Sequence, residues 1–202
     1  MQNFNTRKQR DPGTLRTHEW LAAWFDAEAE LRIDRILIPC PDLAKLRAKE
    51  LARYERFRSG NQSELHTYLK FAAFRWLETE SKRPDTIRAE VICYWPDPRL
   101  CEGIRSFDSD GTEFDIRSPQ VLPAGSIFPL SFGDCVRVDL HASDISVEIG
   151  GTRPFNLLMP MLEGLADRAL WIPYPDLASP RNFDSRRSMG SVNGYLVEIA
   201  PP

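Results

Sequence analysis

A mixed α/β fold with a helical N-terminal extension is predicted from three features of the chain. Leu65, Leu69, Ala72 and Trp76 recur at helical spacing and mark a helix over residues 63–80. Runs of β-branched and aromatic residues over 86–95, 135–142 and 145–149 mark strands. A further helix over 155–167 and a short apolar strand over 169–174 complete the order helix, strand, hairpin, helix, strand. Elements in that order pack as a mixed sheet flanked by helices.

The remaining elements follow in chain order. Residues 1–13 are polar and close on Asp11-Pro12-Gly13, which reads as a loose arm. From Thr17, a capping residue, Leu21, Trp24, Phe25 and Leu31 recur near one helical face. Arg35-Ile36-Leu37-Ile38-Pro39 is a strand or an extended connector. Residues 42–57, rich in Ala, Leu, Lys, Arg and Glu, read as a second helix with a solvated charged face, ended by Ser59-Gly60-Asn61-Gln62. Residues 1–60 are therefore expected to form an arm and helical extension, and 61–202 the core with a C-terminal tail. Ser63 caps the core's first helix. Residues 96–129 carry Pro, Gly, Asp and Ser and form a long excursion with short strands such as 112–117. Ser143-Asp144 makes the tight turn of the hairpin, and the helix over 155–167 is expected despite Pro160. The tail carries Arg181, Arg186 and Arg187 before a last strand over 195–199.

Composition narrows the class. At 202 residues the chain can bury a core without disulfides or structural metals. Its 42% hydrophobic and 27% charged residues are ordinary for a water-exposed globular fold. A net charge of −3 offers no chain-wide basic surface, so any nucleic-acid groove must be local. Cys40, Cys93, Cys101 and Cys135 form no CxxC pair and have no His at metal spacing, so reduced structural thiols are expected. The N-terminal stretch lacks an apolar core, and no apolar run reaches the roughly 20 residues of a membrane span. A cytoplasmic protein without a membrane partner is expected.

Two carboxylates carry the chemistry. Asp139 and Glu148 stand in otherwise apolar runs, Val136-Arg137-Val138-Asp139-Leu140 and Ile145-Ser146-Val147-Glu148-Ile149, on the two arms of the hairpin. A carboxylate among apolar neighbours needs a partner. A hard divalent cation such as Mg²⁺, able to activate water for phosphodiester hydrolysis, is one solution. A salt bridge to Arg88, Arg137 or Arg153, or exposure on one strand face, is the other.

The order of elements, with Ser63-Glu64-Leu65-His66 opening the helix and Val-Glu-Ile-Gly-Gly-Thr closing the hairpin, resembles the core of the PD-(D/E)XK, or restriction-endonuclease-like, nuclease superfamily. Within it, the opening helix and the Ala-Leu-Trp-Ile-Pro-Tyr strand look closest to the competence-protein-like branch. The resemblance covers roughly residues 63–175 and implies an α-β-β-β-α-β core. It implies that Asp139 and Glu148, with the Ile149 carbonyl, hold Mg²⁺ or Mn²⁺, and that Glu64 reaches the ion through water. Gly150 departs from the pattern, because the superfamily usually has lysine there. Lys70 and His66, four residues apart on one helical face, are the candidate replacements, and Arg153 is another.

The expected activity is a metal-dependent nuclease, on DNA rather than RNA, with Arg153, Arg181, Arg186 and Arg187 as phosphate contacts or, alternatively, solvated side chains. The alternative is a catalytically inactive binding protein on the same fold: a phage or mobile-element factor, or a subunit of a larger nucleoprotein assembly. Its protein partner would dock on the N-terminal helices. Trp20, Trp24, Trp76, Trp95 and Trp171 are expected in the core rather than as base-stacking platforms.

Overall fold

The structure, a computed structural model, describes residues 31–58, 62–96, 106–107, 113–114, 118–123, 133–175, 183 and 189–199. The elements are β1 (Leu31–Pro39), α1 (Ala48–Arg56), α2 (Glu64–Glu80), β2 (Arg88–Pro96), β3 (Ser106–Phe107), β4 (Glu113–Phe114) and β5 (Gln120–Leu122). They continue as β6 (Gly133–Ala142), β7 (Ile145–Ile149), α3 (Pro154–Leu162), β8 (Arg168–Ile172) and β9 (Ser191–Ile199). Seven strands form one mixed sheet in the order β1-β9-β8-β7-β6-β2-β5, and β3 pairs with β4 apart from it. Strands β2, β6 and β7 run antiparallel in succession, and β8 lies parallel to β7 after the α3 crossover.

The hairpin forms where expected. Leu140 faces Val147 and Ala142 faces Ile145 across the Ser143-Asp144 turn. On β8 alternate residues serve two clusters, as a strand's period of two dictates. Leu170 and Ile172 pack with Leu65, Leu69 and Phe71 of α2, whereas Ala169 and Trp171 pack with Leu157, Leu158 and Met161 of α3. The sheet is thus covered on both faces. Trp95 and Trp171 are core residues and Trp76 packs at the margin, as expected, while Trp20 and Trp24 lie outside the described residues. Cys40, Cys93 and Cys135 are free thiols, and Cys101 lies outside the described residues.

Several boundaries differ from expectation, each for a local reason. The helix expected over 42–57 divides, because Asp42 caps a single 3₁₀ turn at Leu43–Lys45 and Leu46 is extended before α1. The strand expected from 86 begins at Arg88, since Pro84–Thr86 form another 3₁₀ turn. α3 stops at Leu162 rather than 167. Gly164 takes φ +69°, and the Leu165 and Ala166 N–H groups bond back to the Pro160 carbonyl at 2.8 and 3.0 Å. β1 starts at Leu31, earlier than expected, and pairs with β9 along its whole length. The sheet therefore continues across the boundary expected at residue 60. The helix expected from Thr17 lies outside the described residues apart from Leu31, which is in β1. Among the described residues no helix is long and apolar enough to cross a membrane.

Asp144, at the hairpin turn, ties three elements together. Its carboxylate accepts the Ser81 hydroxyl at 2.6 Å, the Lys82 N–H at 3.2 Å and Arg168 at 3.1 Å. Its carbonyl accepts the N–H groups of Asp167 and Arg168, both at 3.0 Å. The side chain is buried, so losing its charge leaves donors unpaired. Asp144→Asn should lower the unfolding free energy by about 2–4 kcal/mol. Burial pushes the Asp144 acid up, but Ser81, the Lys82 N–H and Arg168 outweigh it and hold the acid below the usual aspartate range. A depressed folded value means that this stability is complete above the ordinary aspartate range and fades as pH falls through the folded value. Urea melts of the two proteins should accordingly converge in acid.

Candidate metal centre

Ser63 starts α2 as expected, accepting the His66 N–H on its hydroxyl at 3.2 Å. The spacing of four then brings His66 and Lys70 to one helical face, turned toward the sheet. Both are buried, and Lys70 has no solvent exposure. An ammonium so placed must be matched by oxygen atoms. Lys70 Nζ donates to Gln62 Oε1 at 2.8 Å and to Glu90 Oε1, and stands 3.6 Å from Asp139 Oδ1. Gln62 Nε2 donates to Glu90 Oε1 at 2.8 Å, closing a ring of contacts around the ammonium.

Asp139 is the second hub. His66 Nε2 lies 2.9 Å from its Oδ1, and the Ile149 N–H donates to its Oδ2 at 2.9 Å. A carboxylate only accepts, so Nε2 carries the proton, and in the neutral ring Nδ1 accepts the Tyr174 hydroxyl at 3.0 Å. Burial pushes the Asp139 acid up, but His66, Lys70 and the Ile149 N–H outweigh it and hold it below the usual range. Asp139 is therefore ionised. Glu90, Asp139 and His66 each offer a ligand atom, and these atoms all lie within 4.8 Å of one another. Glu90 lies between Ala89 and Val91, which face Leu140 and Val138, so it stands at the strand position opposite Asp139. Its φ is +53°, the left-handed region that non-glycine residues rarely adopt.

Glu148 stands on β7, one position beyond the Leu140–Val147 pair. Its Oε2 accepts the Thr152 hydroxyl at 3.1 Å, and its Oε1 is buried with no partner among the described residues. Burial, then the Asp139 charge, pushes the Glu148 acid well above the usual range; Thr152 opposes this, Glu90 adds to it and Lys70 opposes it. Lys70 contacts Glu90 and Asp139 but not Glu148, and Arg137 approaches only the second oxygen of Glu90. The group is short of positive charge, which a proton on Glu148 or a cation can supply. One imidazole nitrogen with the Glu90 and Asp139 carboxylate oxygens is a donor set that fits a divalent ion.

The other expected residues fall elsewhere. Glu64 is exposed, and its place two residues before His66 puts it about 200° round the helix from that ring. Arg153 is exposed at the start of α3. Arg88 is also exposed, and Arg137 reaches Glu90 Oε2 at 3.9 Å. Asp139 is accordingly partnered by His66, Lys70 and the Ile149 N–H rather than by an arginine. Arg181, Arg186 and Arg187 lie outside the described residues. Sequence reading missed Glu90, although a carboxylate between Ala89 and Val91 carries the same signal that singled out Asp139 and Glu148. It also missed Gln62 and Tyr174, whose roles depend on distant partners.

Fold and centre together define a mixed α/β protein with a buried His/Lys/carboxylate cluster on one helix and three neighbouring strands. No family model, curated protein or solved structure matches the chain.

Gly150 has a structural reason. It adopts φ +81°, and a Cβ there would stand 2.5 Å from Cζ of Tyr174. The Gly150 carbonyl also accepts the Trp171 indole N–H at 2.7 Å. Backbone and tyrosine together exclude a lysine at this position. Gly150→Ala should cost about 2–3 kcal/mol, since left-handed strain and overlap add. Combining it with Tyr174→Ala should remove the overlap and leave a backbone part of about 1–2 kcal/mol. A double-mutant cycle by chemical denaturation measures the two parts.

Proposed function

We propose that the chain is a divalent-metal-dependent phosphodiesterase acting on DNA, built on a restriction-endonuclease-like core. The observation that carries this reading is Lys70, which reaches Asp139 from the helix next to the hairpin. A lysine excluded from position 150 by Tyr174 has a counterpart on α2. The run of α2, the β2-β6-β7 succession, the α3 crossover and parallel β8 supports the same core.

Asp139 and Glu148, with the Ile149 carbonyl, would hold Mg²⁺ or Mn²⁺. The Ile149 peptide already lies against Asp139 through its N–H. When bound, such an ion lowers the pKa of a coordinated water and polarises a phosphoryl oxygen. Lys70 supplies positive charge where the scissile phosphate gains negative charge. His66 holds the Asp139 carboxylate in orientation and is itself held by Tyr174.

A second reading, a nuclease-fold protein that binds without cutting, draws on the enclosure of the group. Lys70 is sealed from solvent, and the Tyr174 hydroxyl caps His66.

The purified protein with Mg²⁺ or Mn²⁺ should cleave linear or nicked DNA. Asp139→Asn should abolish cleavage, and Lys70→Ala should slow it by about 10²–10³-fold. DNA that is retained but never cut, with either ion, would instead favour the binding reading.

A further inference from the structure

We infer that His66, Glu90 and Asp139 form a divalent-cation site whose place is held in the metal-free protein by the Lys70 ammonium. Glu90 and His66 thereby become ligands that the hydrolytic reading does not require, and the inference rests on that reading only for Asp139. Three elements, α2, β2 and β6, each contribute one donor, and the donor atoms already lie within 4.8 Å of one another. The ion would take the Nε2 lone pair of His66 once that nitrogen's proton has moved to Nδ1, which then donates to the Tyr174 hydroxyl. One imidazole nitrogen with carboxylate oxygens suits Mn²⁺ and the heavier first-row ions better than Ca²⁺, which collects six to eight oxygens.

A separate observation is an oxygen beside the site that has no donor of its own. Glu148, nine-tenths buried, has Oε1 without a partner among the described residues, within electrostatic reach of Asp139, Glu90 and Lys70. The ammonium contacts Glu90 and Asp139 and leaves Glu148 without a contact to it. Exchanging it for a doubly charged ion improves the charge balance. The ammonium lies among Gln62 Oε1, Glu90 Oε1 and Asp139 Oδ1, the kind of oxygen cage a metal ion takes. Metal and ammonium compete for Glu90 and Asp139, so binding the ion releases Lys70. The released ammonium keeps a four-carbon stem with which to meet an anionic oxygen. The strain at Glu90 fits this role, because the left-handed backbone holds a carboxylate where a relaxed strand residue would not stand.

The test is Mn²⁺ binding to the full chain by calorimetry, with pulsed electron paramagnetic resonance of the bound ion. Wild-type protein should bind Mn²⁺ in preference to Ca²⁺ and show coupling to an imidazole nitrogen that is absent in His66→Gln. Glu90→Gln should weaken Mn²⁺ binding about tenfold or more. Glu90→Gly should weaken it likewise and lower the melting temperature, because relief of the positive φ is outweighed by the loss of an oxygen partner of the buried Lys70 ammonium. Lys70→Met, which removes the competing charge but keeps the volume, should tighten binding roughly tenfold. Unchanged affinity in both Glu90 variants, weaker binding in Lys70→Met, or no nitrogen coupling in the wild type would overturn the inference. Cleavage by a protein whose Mn²⁺ affinity ignores Glu90 would sink this inference and leave the hydrolytic reading standing. The expected binding pattern without cleavage of any DNA would do the reverse.

Discussion

The ammonium of Lys70 is the charge around which the centre is arranged. A lysine without solvent exposure is tolerable only where oxygen atoms surround it, and here they come from Gln62, Glu90 and Asp139. Those partners lie before α2, on β2 and on β6. Satisfying one ammonium therefore sets the rotation of α2 about its axis and its position along two strands. The same turn of helix presents His66 to Asp139, and so the contacts of Asp139 follow from where Lys70 must sit. Burial of a charge in this way makes geometry specific even where it adds little net stability.

The surroundings reinforce that constraint. The first half of α2 is buried on nearly every side, from Leu65 to Ala73, unlike a helix lying on a surface. Tyr174 follows β8 and fills the space above Gly150, while its hydroxyl reaches His66. One tyrosine thus closes the position next to Glu148 and steadies the imidazole that steadies Asp139. At the opposite end of the hairpin, Asp144 binds Ser81, Lys82 and Arg168, so both ends of β7 are tied to α2 or its exit. Between these ties the strand carries Glu148, whose Oε1 has no partner among the described residues.

Legibility followed the range of the interactions involved. The hairpin was readable because alternation and a two-residue turn are local, and the β6–β7 register agrees with the sequence pattern. The end of α3 was not, because Gly164 and the carbonyl of Pro160 close the helix before the apolar pattern fades. β1 looked like a fragment near Ile36, yet pairing with β9 from the far end of the chain extends it to Leu31. Asp139, Glu148, Lys70 and His66 were singled out by residue type and spacing. Glu90 carried the same local signal, but only its place opposite Asp139 on a neighbouring strand makes it part of the centre.

By itself, the amino-acid sequence determined the local periodicities: which segments are helix or strand, where the hairpin turns, and that carboxylates stand in apolar runs. It also determined that His66 and Lys70 share one helical face, since a period of 3.6 places residues four apart together. Only the tertiary structure decided which carboxylates meet that face. Sheet register joined Glu90 to Asp139, and packing of α2 over the sheet delivered Lys70 to both. Tertiary contacts also decided that position 150 holds no side chain, because the tyrosine that would collide with it arrives from the segment after β8. Spacing along a chain fixes faces, whereas charges become partners only when long-range packing removes water from between them.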